Sequence, residues 1–167
     1  MEFKLRKWEI SDQDSLVKYA NNFEISKNLT DAFPHPYTID DAARFIEMAT
    51  KAHPNHIFAI EVNGEAVGGI GIHPQTDINR KNAELGYWLG QPFWGNGIIS
   101  KAIPEVVKYG FDTFDIQRIY ARPYGHNIAS QKVLEKNGFT LEAHIKQNLY
   151  KNDEFVDELI YAIRRKK

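Results

Sequence analysis

Between Ala83 and Val107 the hydrophobic period changes from two to 3.6 across one short loop. AELGYWLG alternates, with Glu84, Gly86 and Trp88 on one side and Leu85, Tyr87 and Leu89 on the other. Ile98, Ile99, Ala102, Ile103, Val106 and Val107 then keep helical spacing. A half-buried strand that feeds straight into an amphipathic helix must cover its apolar face with that helix, so the chain is confined to a layered α/β arrangement.

The joint between the two periods is LGQPFWGNGIIS, Leu89 to Ser100. A G-x-G at the end of a strand and the head of a helix leaves several backbone N–H groups bare, and the helix dipole adds to their pull on an anion. Side chains at Gly95 or Gly97 would keep a pyrophosphate away from those amides. No Gly-Lys-Ser/Thr follows, so this is not a nucleoside-triphosphate loop. A third glycine and a strand with a terminal acid are also missing, so the dinucleotide fingerprint fails. Taken alone, the loop reads as a plain turn before it reads as an anion cradle.

The same reading extends along the chain. Phe3 to Arg6 alternates as a short strand. Ser11 and Asp12 offer N-caps to a helix carrying Leu16, Val17 and Ala20. AFPHPYT is an irregular connection, and Thr38 opens a second helix with Ala42, Phe45, Ile46 and Ala49 on its apolar face. HIFAIEV and EAVGGIGIH flank Asn63-Gly64, a strong hairpin signal. RIYARP is a compact strand, Asn127 caps a helix that Asn137-Gly138 ends, and FTLEAHIKQNLY and EFVDELIYAI close the chain as two strands. The expected fold is α/β, a mixed and mostly antiparallel sheet flanked by helices in the order β-α-α-β-β-β-α-β-α-β-β, with residues 1–167 as a single domain.

Composition narrows the function. The 167 residues carry a net charge of -1, which argues against a nucleic-acid partner. The closing Arg164-Arg165-Lys166-Lys167 is the only basic run and reads as a solvated chain end. There is no cysteine, which excludes disulfides, thiolate nucleophiles and Cys-based zinc sites. MEFKLRKWEI lacks an apolar signal core and no apolar run approaches spanning length, so a cytoplasmic protein without a membrane partner is expected. Six histidines are scattered; His53 and His56 are three apart, but no acidic cluster joins them, and no metal site is expected.

Two stretches together carry a family resemblance: E-L-G-Y-W-L-x-x-P-x-W-G-x-G-I, then N-x-x-S-x-x-V-L-E-K-x-G-F. With PYTIDDA and the ending IKQNLYKNDEFVDELIYAI, the chain resembles the GNAT acetyltransferase superfamily, most of all its Rim-type, ribosomal-protein N-terminal branch. The resemblance covers essentially the whole chain. It implies acetyl-CoA as cosubstrate, with Trp94, Gly95, Asn96, Gly97, Ile98 and Ser100 around its pyrophosphate. It also implies backbone pairing of Tyr87, Trp88 and Leu89 with the pantetheine arm, and a hydrogen bond to that arm from Asn127. Glu84 matches the position of a general base, and Ser130 that of a serine protonating the departing thiolate. Two departures stand out: Leu134 occupies the place of the superfamily's acidic tyrosine, and Leu149 that of a late glutamate in the Rim branch. Phe33, His35 and Tyr37 fall in the connection that borders the family's acceptor site, and Asp157 matches an acid of structural use.

The expected activity is direct transfer of an acetyl group to a primary amine, either a protein or peptide N-terminus or a small molecule. A catalytically silent coenzyme A-binding module of the same fold is the alternative. As a monomer or a homodimer, the protein would take its proton acceptor from Glu84, because an amine of pKa about 8 to 10 is protonated at neutral pH and cannot attack.

Overall fold

Asn63 and Gly64, at φ 51 and 84, make the tight turn that folds β2 (Ile57–Val62) back on β3 (Glu65–Pro74). That hairpin is part of one seven-stranded sheet, with β4 at its centre, in a computed structural model that describes all 167 residues. The other strands are β1 (Lys4–Lys7), β4 (Asn82–Leu89), β5 (Arg118–Ala121), β6 (Thr140–Lys151) and β7 (Glu154–Arg164). Their spatial order is β1-β2-β3-β4-β5-β7-β6, and every neighbouring pair is antiparallel except β4 and β5. The helices are α1 (Gln13–Ala20), α2 (Phe23–Ser26), α3 (Ile39–Lys51), α4 (Ile98–Thr113) and α5 (Ile128–Lys136).

This is the expected order with one addition, the single turn α2. Asn22 caps it by accepting from the N–H of Glu24 at 2.8 Å. Thr38 caps α3 as expected, and Asp41 returns the bond in a capping box. Asp12, expected to cap α1, does something else. Its carboxylate takes two hydrogen bonds from the Arg6 guanidinium at 2.7 Å and one from the N–H of Glu9, tying β1 to the turn before α1. An ion pair with two parallel bonds outweighs a capping bond in a place that leaves Asp12 5% exposed.

The sheet is covered on both faces. Ile70, Ile72, Leu85, Leu89, Ile98, Ile103, Val106 and Ile119 form the larger core, under α4. Trp8, Leu16, Tyr37, Ala42, Ile46, Ala59 and Ala66 form the smaller one, under α1 and α3. Each large aliphatic side chain withdrawn from water here contributes about 1.5–3 kcal/mol. The basic chain end is exposed, as expected, and its two arginines are also held by the protein. Arg165 donates to the carbonyls of Ile116 and Phe111 and lies over the Phe111 ring, while Arg164 pairs with Glu142. The carbonyls that close α4 draw the Arg165 guanidinium while the residue stays exposed.

Candidate functional site

The parallel pair β4–β5 is short. Only Asn82, Ala83 and Glu84 find partners on β5, opposite Arg118, Ile119 and Tyr120, although β4 runs on to Leu89. Past Glu84 the two strands part, and one edge of β4 lies open. The N–H of Gly90 donates to Val67 on β3, and the carbonyl of Trp88 also faces β3, close to Gly68. Backbone direction alternates along a strand, so the peptide groups of Tyr87 and Leu89 point into the opening. Trp88 therefore does not offer its backbone there, as the family pattern suggested for all three residues. It offers its ring, on the opposite face, against Phe33 at 5.6 Å.

The opening leads directly to the glycine loop. Gly95 and Gly97 have φ of 76 and 73, the left-handed region, and Gly97 is the N-cap of α4 without any side-chain bond. The first backbone bond back into the loop is from Lys101 to the carbonyl of Gly97. The N–H groups of Gly95, Asn96, Gly97, Ile98, Ile99 and Ser100 thus find no protein acceptor. Six free donors at a helix N-terminus form a cradle for phosphate oxygens.

Side chains hold the cradle in shape rather than fill it. The Trp94 indole donates to the carbonyl of Leu89 at 2.7 Å, and the Asn96 amide bonds back to Phe93 and Trp94. Ile98 is 1% exposed and pins the first turn of α4 to the core, so it can offer only its N–H. Gln91 accepts from Asn22 and Phe93 packs edge-on to Tyr19, which fixes the loop against α1.

Across the opening, α5 presents Asn127 and Ser130. Asn127 accepts from the N–H of Ser130 at 3.3 Å, capping α5 and leaving its own amide donors free. The Ser130 hydroxyl is 2.6 Å from the Tyr87 hydroxyl. Burial pushes the Tyr87 phenol up to about 12, with Ser130 acting the other way. The family resemblance implies a role only for the Tyr87 backbone; the partnership of its hydroxyl with Ser130 comes from the structure. Strand phase carried the signal, since it sends Tyr87 to the face that α4 and α5 cover. Leu134, where the superfamily has its tyrosine, is fully enclosed in the core.

Glu84 sits at the vertex where β4 and β5 part. Arg122 grips it in a fork, Nε to Oε1 at 3.0 Å and Nη2 to Oε2 at 3.2 Å, and reaches Glu158 with Nη1 at 3.3 Å. The Glu84 hydrogen bond raises the Arg122 guanidinium further above its usual range. Asn148 donates to the other Glu158 oxygen at 2.7 Å. Arg122 and Glu158 were not foreseen, although Arg122 lies in phase with Tyr120 on the strand RIYARP. One guanidinium between two carboxylates leaves the vertex with a net negative charge.

The connection before α3 borders this face. Phe33 packs on Tyr37 and Trp88, and Phe23, Asp31, Phe33, Pro34, His35 and Lys151 line a cavity of about 310 Å³. Tyr37 is 5% exposed and belongs to the core beneath it. Leu149 pairs with Val156 in the β6–β7 hairpin. Asp157 accepts from His144 and from the N–H of Gln147 and so secures the irregular part of β6; these bonds, His144 first, hold its carboxyl below the usual range. No group of acidic residues and histidines is arranged to hold a metal ion. No helix is long and apolar enough to cross a membrane.

Comparison with known proteins agrees with this geometry. The family model described as an acetyltransferase (GNAT) domain matches residues 2–140. An uncharacterized N-acetyltransferase of Bacillus subtilis (strain 168), YoaA, is 37% identical over 99 residues, 59% of this chain and 55% of its own length. The aligned part of the chain thus spans about half of that relative. Among solved structures, a RimL ribosomal alpha-N-protein acetyltransferase in complex with coenzyme A superposes with a TM-score of 0.83 at 26% identity, covering 97% of this chain and 93% of that one. A microcin self-immunity acetyltransferase in complex with acetyl-CoA and AMP superposes equally well, TM-score 0.83 at 25% identity, covering 98% and 93%. With a parted β4–β5 pair, a free-amide cradle after β4 and a family match over most of its length, this chain belongs to the GNAT family of acetyltransferases.

Proposed function

We propose that the protein transfers the acetyl group of acetyl-CoA to a primary amine by direct attack in a ternary complex. The observation that carries this reading is the open edge of β4 running without interruption into the six free N–H groups of the loop. The pyrophosphate would lie on Gly95 to Ser100, and the pantetheine arm would extend β4 as an extra strand through the peptide groups of Tyr87 and Leu89. The Asn127 amide would meet the arm from α5, and the thioester would then reach the vertex beside Glu84. The solved neighbours that hold coenzyme A or acetyl-CoA support this placement.

The chemistry follows from what stands at the vertex. An acceptor ammonium must lose one proton before its lone pair can form the C–N bond. When the C–S bond breaks, the thiolate must gain one. Ser130 would supply that proton; with the buried Tyr87 phenol, which stays protonated, as the donor in their 2.6 Å contact, the serine proton would turn toward the sulfur. With no cysteine in the chain, no thiol acyl-enzyme intervenes. Glu84 and Glu158, only half neutralised by Arg122, give the acceptor side an anionic wall that draws a cationic amine.

The acceptor class is an N-terminal α-amine of a protein or peptide, or a small-molecule amine. The RimL neighbour, an alpha-N-protein acetyltransferase, supports the first. Purified protein given acetyl-CoA and a panel of both kinds of amine is expected to release coenzyme A thiol and form an N-acetyl product. Firm coenzyme A binding with no thiol released for any amine in the panel would leave the silent-module reading standing.

A further inference from the structure

The acceptor face of the vertex holds a titratable side chain that the reading above does not use. Gly69, Gly71 and His73 on β3 share that face with Glu84, Gly86 and Trp88 on β4, and His73 lies directly opposite Glu84. Its imidazole leans back along the sheet into the space that two glycines leave bare. A Cβ placed on Gly71 would come within 2.9 Å of Nε2, and one placed on Gly86 within 3.8 Å. Gly86 stands two residues beyond the last residue of β4 paired with β5, and next to Tyr87, whose peptide faces the opening.

Neither ring nitrogen of His73 is hydrogen-bonded to another protein group, and the half-buried ring keeps contact with solvent. The charged or titratable groups facing it are few. His56, before β2, lies with its ring centroid 5.4 Å away, and Glu84 stands across on β4, held by Arg122 of the segment after β5. Burial, with the nearby His56, holds His73 below the ordinary imidazole value; Glu84 acts the other way. The ring is therefore neutral at pH 7 with a lone pair to offer. Glu84, the position expected to supply the base, has both oxygens committed to Arg122.

We propose that His73 Nε2 is the general base that takes the proton from the acceptor ammonium. The proposal rests on the acetyl-transfer reading. The proton balance is complete with groups already named. Nitrogen gives one proton to His73, which passes it to solvent, and its freed lone pair forms the C–N bond. Collapse of the adduct breaks the C–S bond, and Ser130 protonates the thiolate. The second proton leaving nitrogen restores the serine hydroxyl.

The test compares wild-type protein with His73→Gln, using the best amine found in the panel and measuring kcat against pH together with coenzyme A affinity. Loss of a positioned base lowers kcat by about 100-fold or more, with coenzyme A affinity unchanged. The acidic limb of the wild-type profile lies below the ordinary imidazole value of 6.5 and vanishes in the variant. Added imidazole restores part of the rate to His73→Ala, because the notch over Gly71 and Gly86 admits the free ring. Wild-type kcat in His73→Gln overturns the proposal. So does a wild-type acidic limb in the carboxylate range, a measurement that stands even where the variants do not fold. A wild-type protein that acetylates no amine overturns the acetyl-transfer reading, and this proposal with it.

Discussion

At Gly97 two demands meet in one residue. Its φ of 73 is a conformation that a β-branched side chain adopts only with strain, and its N–H stands in the row that faces the opening. A Cβ at that position would touch nothing in the protein. Gly97→Val should therefore cost about 1–2 kcal/mol of stability from backbone strain alone, leaving a folded domain. Its affinity for coenzyme A should collapse, because the valine side chain would occupy the space proposed for the phosphate oxygens. Calorimetric titration and a thermal melt of the same sample separate the two effects. Ser130→Ala should lower kcat without changing coenzyme A affinity, and Tyr87→Phe should do the same to a smaller extent, since it removes only the group proposed to orient the serine.

Residues of this kind were legible in the sequence to different degrees. Gly95, Gly97 and Asn127 announce themselves, because a loop before a helix and a cap before a helix are local events. The pairing of Glu84 with Arg122, the Tyr87–Ser130 contact and the place of His73 are products of register. Residues 73, 84 and 122 meet because β3, β4 and β5 are neighbours. No local pattern states which strands become neighbours.

At the scale of elements, short-range signals held where they were strong. Asn63-Gly64, the Thr38 cap and the Asn137-Gly138 stop all act where spacing placed them. Asp12 and Arg165 did not behave as isolated residues suggest, since each answers a partner distant in sequence or on another element: Asp12 answers Arg6, and Arg165 answers the carbonyls at the end of α4. The Arg6 link lends itself to a measurement. Removing the guanidinium leaves the Asp12 carboxylate buried and short of donors, and breaking such a pair costs about 3–5 kcal/mol. Arg6→Ala should therefore lower the midpoint of chemical denaturation sharply. Arg6→Ala combined with Asp12→Ala should recover part of the loss, because no charge is then stranded. A double variant no better than the single one would show that the pair is not the source of the effect.

For the molecule as a whole, the acid side of the stability curve should carry two steps. His56 and His73 are held below their ordinary value, chiefly by burial. Below pH 6.5 the unfolded chain binds protons that the folded one resists, so stability rises with pH across that range and falls on acidification. Glu61, Glu142 and Asp157 are held low by Arg6, Arg164 and His144 respectively, so their contribution is present above their unfolded values and is lost as pH falls through the folded ones. Thermal midpoints measured from pH 8 to pH 3 should fall first below pH 6.5 and again below 4.5, and His56→Gln should reduce the first step.

The whole molecule is also where the acceptor would be decided, by the wall proposed to form from Phe33, Trp88, Arg122, Glu158 and the β6–β7 hairpin. The donor side is a strand edge and a loop, whereas the acceptor side is assembled from four separate parts of the chain. That difference is why the sequence named acetyl-CoA and left the amine open. The measurement that bears most directly on the account is thiol release from acetyl-CoA by the purified protein across N-terminal peptides and small amines, with the product checked by mass. The account predicts at least one acceptor that gains a single acetyl group for each thiol released. Firm coenzyme A binding with no acetylated product from any amine would contradict it.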